Sequence, residues 1–343
     1  MEVVGEIASF SLKFVLVAIV LSWIALLFMR AMRIGQAPEK RIVVRNYRDW
    51  LRTFRLPLSF AALSPVERKT MLVQDRAELK RRRAQKTSAT PRLWVLSFKG
   101  DMNAGEVADL KDEITAVLGA ARPNDEVLAR IESSGGTVVG YGLGAAHLER
   151  IRAAGLRLTA AVDKVAASGG YMMAAVADEI IAAPYAIVGS IGVIATVPNI
   201  RPLLDEKGVR VLEVTAGEYK RTITPFSEVT PERLAKLEDQ LSDVHTLFKS
   251  HIAKHRPQVD IEQVATGEYW YGAHALERKL VDQLTTSDDW LIQRVERYEI
   301  FLVRTVHPGR KVMQQVERMV SATIDRVVRA KTPSTDVTDI HRI

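Results

Sequence analysis

The chain has 343 residues, of which 47% are hydrophobic, with a formal net charge of +7 and no cysteine. That length suggests about two domains at the rough prior of 150 residues each, and the apolar content is enough to build a core. Without cysteine there is no disulfide, no thiolate nucleophile and no cysteine-ligated metal, and such a chain tolerates either redox compartment.

Residues 14–29 read FVLVAIVLSWIALLFM, uncharged and with Ser22 as the one polar side chain. Extended back through Leu12 and Phe10, with Lys13 snorkelling, the run reaches about 19–20 residues, enough to span a hydrocarbon core of about 30 Å. A cleaved signal peptide would start basic and end at small residues. Here Glu2 and Glu6 precede the run and Arg30 and Arg33 follow it. Residues 1–33 are therefore expected to be an N-terminal membrane anchor. Arg30, Arg33, Lys40, Arg41 and Arg45 put the C-terminal side in the cytoplasm by the positive-inside rule.

Residues 34–90 read as a basic linker or stalk. Between residues 30 and 83, fifteen Lys or Arg stand against five Asp or Glu. Such an excess suits a solvated helix or attraction to anionic lipid headgroups. No interleaved aromatics or nucleic-acid-binding motif accompany the charge, so nucleic acid is not an expected partner.

From 91 to 300 the pattern is strand and helix in alternation. The apolar run 92–98 after a proline is a buried strand. Asn103 and Glu106 have capping-box spacing ahead of a helix through Leu110, Ile114, Val117 and Leu118. Residues 126–131 form the next strand, ending in Glu132-Ser133-Ser134-Gly135-Gly136. A helix follows over 139–153, then a strand over 156–162, and Ser168 opens another helix. Short strands are expected at 178–182, 186–188 and 209–214. Thr230 caps a long helix from Pro231 to about His255. The alternation predicts an α/β fold with βαβ units and a largely parallel sheet. Residues 301–343 are expected to hold an amphipathic helix, 312–328, and a polar tail.

Within this frame, Ser168 is the candidate nucleophile. A serine hydroxyl needs a base to take its proton, and a helix N-terminus favours the negative charge that develops. Lys220 is the candidate base, since burial disfavours the charged form of a lysine and frees its amine. Gly135 and Gly136 let the backbone approach a substrate closely, and an N–H there, together with that of Gly169, can hold an oxyanion. A helix-capping serine, an exposed lysine and a plain turn remain the alternatives that the residues alone leave open. The seven histidines form no H-E-x-x-H or other zinc pattern, and no phosphate-cradling glycine motif follows a strand. No metal or cofactor is expected.

Several segments in order resemble the SohB and signal peptide peptidase A family of membrane serine proteases. They are Val165-Ala166-Ala167-Ser168-Gly169-Gly170-Tyr171-Met172-Met173-Ala174, then Ala186-Ile187-Val188-Gly189-Ser190-Ile191-Gly192-Val193. Thr215-Ala216-Gly217-Glu218-Tyr219-Lys220-Arg221-Thr222 follows, then Ala265-Thr266-Gly267-Glu268-Tyr269-Trp270-Tyr271-Gly272 and Leu280-Val281-Asp282. The likeness covers about 92–285. It implies a Clp protease/crotonase-like fold of stacked ββα units and a Ser168–Lys220 dyad. It further implies that Ser190 orients the lysine and that the Gly136 and Gly169 amides form the oxyanion hole. By the same resemblance the protein is a homo-oligomeric ring at the bacterial inner membrane. It would cut membrane-associated or unfolded peptides, signal-peptide remnants among them, without a metal. The family is also described as periplasmic, against the charge rule. Two positions depart from its pattern: Ser134 replaces a proline at the oxyanion turn, and Lys279 a glycine before Leu280. A non-catalytic membrane scaffold and a crotonase-like acyl-CoA enzyme are the alternatives.

Overall fold

Residues 40–84, 90–217 and 219–307 are described by the computed structural model of the chain. The first half runs β1 (Arg41–Asn46), α1 (Tyr47–Ala62), α2 (Pro65–Ala84), β2 (Arg92–Lys99), α3 (Val107–Ala120), β3 (Glu126–Glu132), α4 (Val138–Ala153), β4 (Arg157–Val162), β5 (Val165–Ala167) and α5 (Gly169–Ala174). The second half runs β6 (Glu179–Ala182), β7 (Ile187–Gly189), α6 (Arg201–Glu206), α7 (Pro231–His255), α8 (Ile261–Val264), β8 (Tyr269–Tyr271), α9 (Gly272–Glu277), β9 (Gln283–Leu284), α10 (Ser287–Arg294) and β10 (Glu299–Val306). Val44 to Arg304 form one compact unit, which contains every expected site residue.

The fold is α/β. Seven strands make the main sheet in the order β1-β10-β2-β3-β4-β6-β9, and each pairing from β10 to β9 is parallel. A parallel strand is buried on both faces, which is why residues 92–98 read as a nearly unbroken apolar run. Within β2, Trp94, Leu96 and Phe98 enter a core shared with Leu110 and Ile114 of α3 and Leu148 and Ile151 of α4. Leu93 and Val95 enter a second core with Tyr47, Trp290 and Leu291. Each such side chain, fully buried, contributes roughly 1.5–3 kcal/mol.

A second, three-stranded sheet joins β5 and β7 in parallel and β7 and β8 antiparallel. It continues from the carboxyl end of β3, because Ser133 bridges Ala166 in parallel. The Ser133 N–H donates to the Val165 carbonyl at 2.9 Å, and the Ala167 N–H to the Ser133 carbonyl at 3.0 Å. Ligands in open parallel sheets bind beyond the carboxyl ends of the strands, and this is where the small sheet places Ser168.

Residues 41–84, within the stretch read as a basic linker or helical stalk, form β1, α1 and α2, and Tyr47 is 1% exposed. Other elements differ from expectation. Residues 209–214 form no strand, and Val209, Val211, Leu212 and Val214 are exposed. Their alternation finds no partner strand to reward it. The capping box at Asn103 does not form. Glu106 instead accepts from the Lys99 N–H at 2.9 Å, and Asp101 accepts from the Asn103 and Gly105 N–H groups at 3.1 and 2.9 Å. Thr230 does cap α7, accepting from the Arg233 N–H at 3.4 Å. The expected anchor at 14–29 and the amphipathic stretch at 312–328 lie outside the described residues. Among the described residues, no helix is long and apolar enough to cross a membrane.

Candidate active site

Ser168 links β5 to α5 with φ 50° and ψ −121°, and its side chain makes no capping hydrogen bond. An ordinary N-cap serine has extended backbone and caps the helix through its oxygen. Here the backbone sits in a region that L-residues avoid, at a cost of roughly 1–3 kcal/mol. Two hydrogen bonds hold it there. The Ser168 N–H donates to the Gly189 carbonyl at 2.7 Å, and the Ser168 carbonyl accepts from the Met172 N–H at 2.9 Å. The hydroxyl, half-buried, is left for other work.

The glycine turn abuts this serine. A Cβ at Gly135 (φ +96°) would lie 2.7 Å from the Ser168 Cβ and 3.0 Å from the Gly169 nitrogen. A Cβ at Gly136 would collide with the Met102 backbone. Both positions thus require glycine for closeness, and Gly135 for its positive φ as well. Neither the Gly136 nor the Gly169 N–H is spent on a turn or cap hydrogen bond among the described residues. Gly135 thus lies against Ser168 and Gly169, while Gly136 packs on the Met102 backbone.

Tyr141 braces this arrangement, a role that sequence reasoning did not assign. Its hydroxyl bonds to the Ser133 hydroxyl and donates to the Asp101 carbonyl at 2.7 Å. Its ring fills the space a Cβ at Gly169 would need. Burial pushes the phenol above its usual range, so it stays neutral. The Ser133 hydroxyl in turn accepts from the Gly135 N–H at 3.1 Å. The signal in the sequence is the glycine run around Tyr141. Gly140 and Gly144 let α4 pack against Ala104 and Met173.

Ser190 follows Gly189 directly, at φ 52°, and its N–H donates to the Glu268 carbonyl at 2.7 Å. It is thereby next to the carbonyl that holds Ser168. Lys220 is placed differently. It is exposed, its backbone N–H donates to the Gly217 carbonyl at 3.2 Å, and no hydrogen bond joins it to Ser168 or Ser190.

The Leu280-Val281-Asp282 segment does structural work. Asp282 receives Arg256 at 2.7 and 2.8 Å and the Ile180 N–H at 2.7 Å. Tyr171, in the helix after Ser168, donates to the Leu280 carbonyl at 2.8 Å, and burial raises its pKa. Lys279 has φ 59°, which accounts for the glycine usual there.

The family model "Peptidase family S49" matches residues 150–299, and "Peptidase family S49 N-terminal" matches residues 2–148. The chain is 48% identical to a probable protease SohB of Buchnera aphidicola over 69% of its own length and 70% of the relative's. It is 47% identical to a probable protease SohB of Haemophilus influenzae over 62% of its length and 60% of the relative's. Among solved structures, a 1510-N membrane-bound stomatin-specific protease variant aligns over 60% of this chain and 85% of its own, with TM-score 0.37 and 13% identity.

Proposed function

Because the chain belongs to peptidase family S49 and is a serine-type peptidase, we propose that it cleaves peptide bonds with Ser168 as nucleophile and Lys220 as general base. The Ser168 oxygen attacks the scissile carbonyl carbon while its proton passes to the Lys220 amine. The tetrahedral oxyanion is held by the Gly136 and Gly169 N–H groups. The protonated lysine gives its proton to the leaving amine, and the C–N bond breaks. Water, activated by the same lysine, then hydrolyses the Ser168 ester and restores the enzyme. The observation that carries this reading is the Ser168 backbone: positive φ at a helix start, with a hydroxyl that caps nothing.

The exposure of Lys220 bears on how the dyad is completed. A lysine amine serves as a base where it is shielded from water. Ile194, Leu212 and Val214, each more than 80% exposed, lie in the stretch of chain that leads to Lys220. A ring of copies would cover this apolar stretch and bring Lys220 beside a serine, with Ser190 orienting the amine. The bridge from β3 into the small sheet supports a stacked ββα architecture of the Clp protease and crotonase kind. The apolar run at 14–29 and its basic flank support a single-pass anchor in the inner membrane, with membrane-associated or unfolded peptides as substrates.

The test is cleavage of casein by detergent-solubilised protein, comparing the parent with Ser168→Ala and Lys220→Ala. Both variants are expected to lose cleavage while remaining folded by circular dichroism. Retained cleavage in both would refute the dyad.

A further inference from the structure

Outside the serine site, three side chains converge from two helices. Glu149 of α4 and His251 and His255 of α7 each place one ligand-capable atom within 4.8 Å of the others. The two histidines are four residues apart, so they share one helix face, and their ring centroids are 4.7 Å apart. His255 Nε2 is 2.7 Å from a Glu149 carboxylate oxygen, and the His255 side chain is 5% exposed.

The hydrogen bonds fix which atoms are available. His251 Nε2 is 2.9 Å from the Met172 carbonyl oxygen. A carbonyl only accepts, so Nε2 carries the ring proton and Nδ1 keeps a lone pair. Metal-binding histidines have this arrangement, with the second ring nitrogen donating to a backbone carbonyl or carboxylate. A cation already occupies part of the space, since Lys254 Nζ lies 3.0 Å from the Glu149 carboxylate. That lysine is 67% exposed and free to turn into solvent. Arg152 Nη1 sits 3.3 Å from His255 Nδ1, but its Nε is held by Asp178 at 2.8 Å.

We propose that Glu149, His251 and His255 bind one divalent transition-metal ion of the zinc type, which displaces the Lys254 ammonium. Two imidazoles and one carboxylate suit zinc and its neighbours, with water as a fourth ligand, and do not suit magnesium or calcium, which prefer oxygen. On binding, the Nε2 proton of His255 moves to Nδ1 and Arg152 turns wholly to Asp178. The ion ties α4 to α7, behind the helix that follows Ser168, whose Met172 carbonyl His251 already holds. This site does not depend on the peptidase chemistry, and its test does not read activity.

Full-length protein in detergent, freed of metal by chelation, is titrated with zinc chloride in a calorimeter, and cobalt(II) absorption reports tetrahedral ligation. One ion per chain is expected, with a zinc-dependent rise in melting temperature. His251→Ala and His255→Ala should each weaken zinc binding by at least about 10–100-fold, the scale seen when even the supporting partners of ligands are lost. Lys254→Met, at an exposed position, should tighten it severalfold. Absence of zinc binding by the parent, or parental affinity in either histidine variant, would overturn the proposal. So would unchanged or weaker binding in Lys254→Met, a variant that keeps the test valid if the histidine variants fail to fold.

Discussion

Gly135 shows how little freedom the residues around Ser168 have. An added methyl group would press on the Ser168 Cβ at 2.7 Å and would have to tolerate φ +96°. Gly135→Ala is therefore expected to lower kcat by about 10²–10³, the loss typical of a displaced oxyanion donor. KM should change far less, and casein kinetics beside a circular-dichroism spectrum measure both. Lys279 presents the opposite case, a side chain where glycine would fit better. It sits at φ 59°, is exposed, and follows the last turn of α9. A left-handed conformation costs an L-residue roughly 1–2 kcal/mol, against roughly 0.5–1 kcal/mol of extra chain entropy for glycine. Lys279→Gly should thus raise stability by about 0.5–1 kcal/mol, read from a shift of the urea midpoint at constant slope. Both glycines of the turn were legible from sequence as candidates. Tyr141 was not, because its role depends on Ser133 and Asp101 arriving beside it.

Between elements, one bidentate tie is the pair formed by Arg256, just past α7, and Asp282, just before β9. Arg256 is 1% exposed and makes two bonds to the carboxylate and a third to the Lys279 carbonyl at 2.9 Å. Asp282 is about a third exposed and keeps its bond from the Ile180 N–H, so the loss on removing Arg256 falls mainly on its packing and on the Lys279 carbonyl left without its donor. Arg256→Met is expected to cost about 1–3 kcal/mol in chemical denaturation. Most of the parallel core was legible because strands buried on both faces read as apolar runs bounded by turns. The run at 92–98 and the short strand at 186–188 are examples. The stretch 209–214 shows the limit of that reasoning. Its residues have the right composition but no neighbouring strand, and propensity alone does not make a sheet. Asn103 failed as a cap because Asp101, two residues earlier, took the nearby N–H groups, a competition that spacing rules do not weigh. The metal-ligating trio was hidden because Glu149 lies on a different helix from the histidines, and a residue spacing cannot show a contact between helices.

For the whole molecule, the exposed apolar stretch leading to Lys220 is the feature that an assembly would bury. If copies of the chain cover it, a charge placed there should prevent both assembly and cleavage. Leu212→Glu, at a side chain already 87% exposed, costs the single chain little. Sedimentation should show a smaller particle than the parent, and casein cleavage should fall with it. A smaller particle that keeps full activity would separate assembly from catalysis. Ser168 and Lys220 were equally visible in the sequence as candidates; strands β5 and β7 hold Ser168, whereas Lys220 is exposed and no hydrogen bond among the described residues joins it to Ser168.

The small sheet has a final consequence. Its strands β5, β7 and β8 are three residues each, yet it orders Ser168 and Ser190 together. Ala166 and Val188 belong to the main core, but the β8 edge is open, with Tyr269 and Tyr271 55% and 43% exposed, so opening at that edge should precede global unfolding. Catalytic competence, which depends on the hydrogen bond from Ser168 to Gly189 beside that edge, is expected to be lost before the core melts. Under mild heat or denaturant the enzyme should fall silent while its spectrum still looks native, and cooling should restore it without refolding of the core.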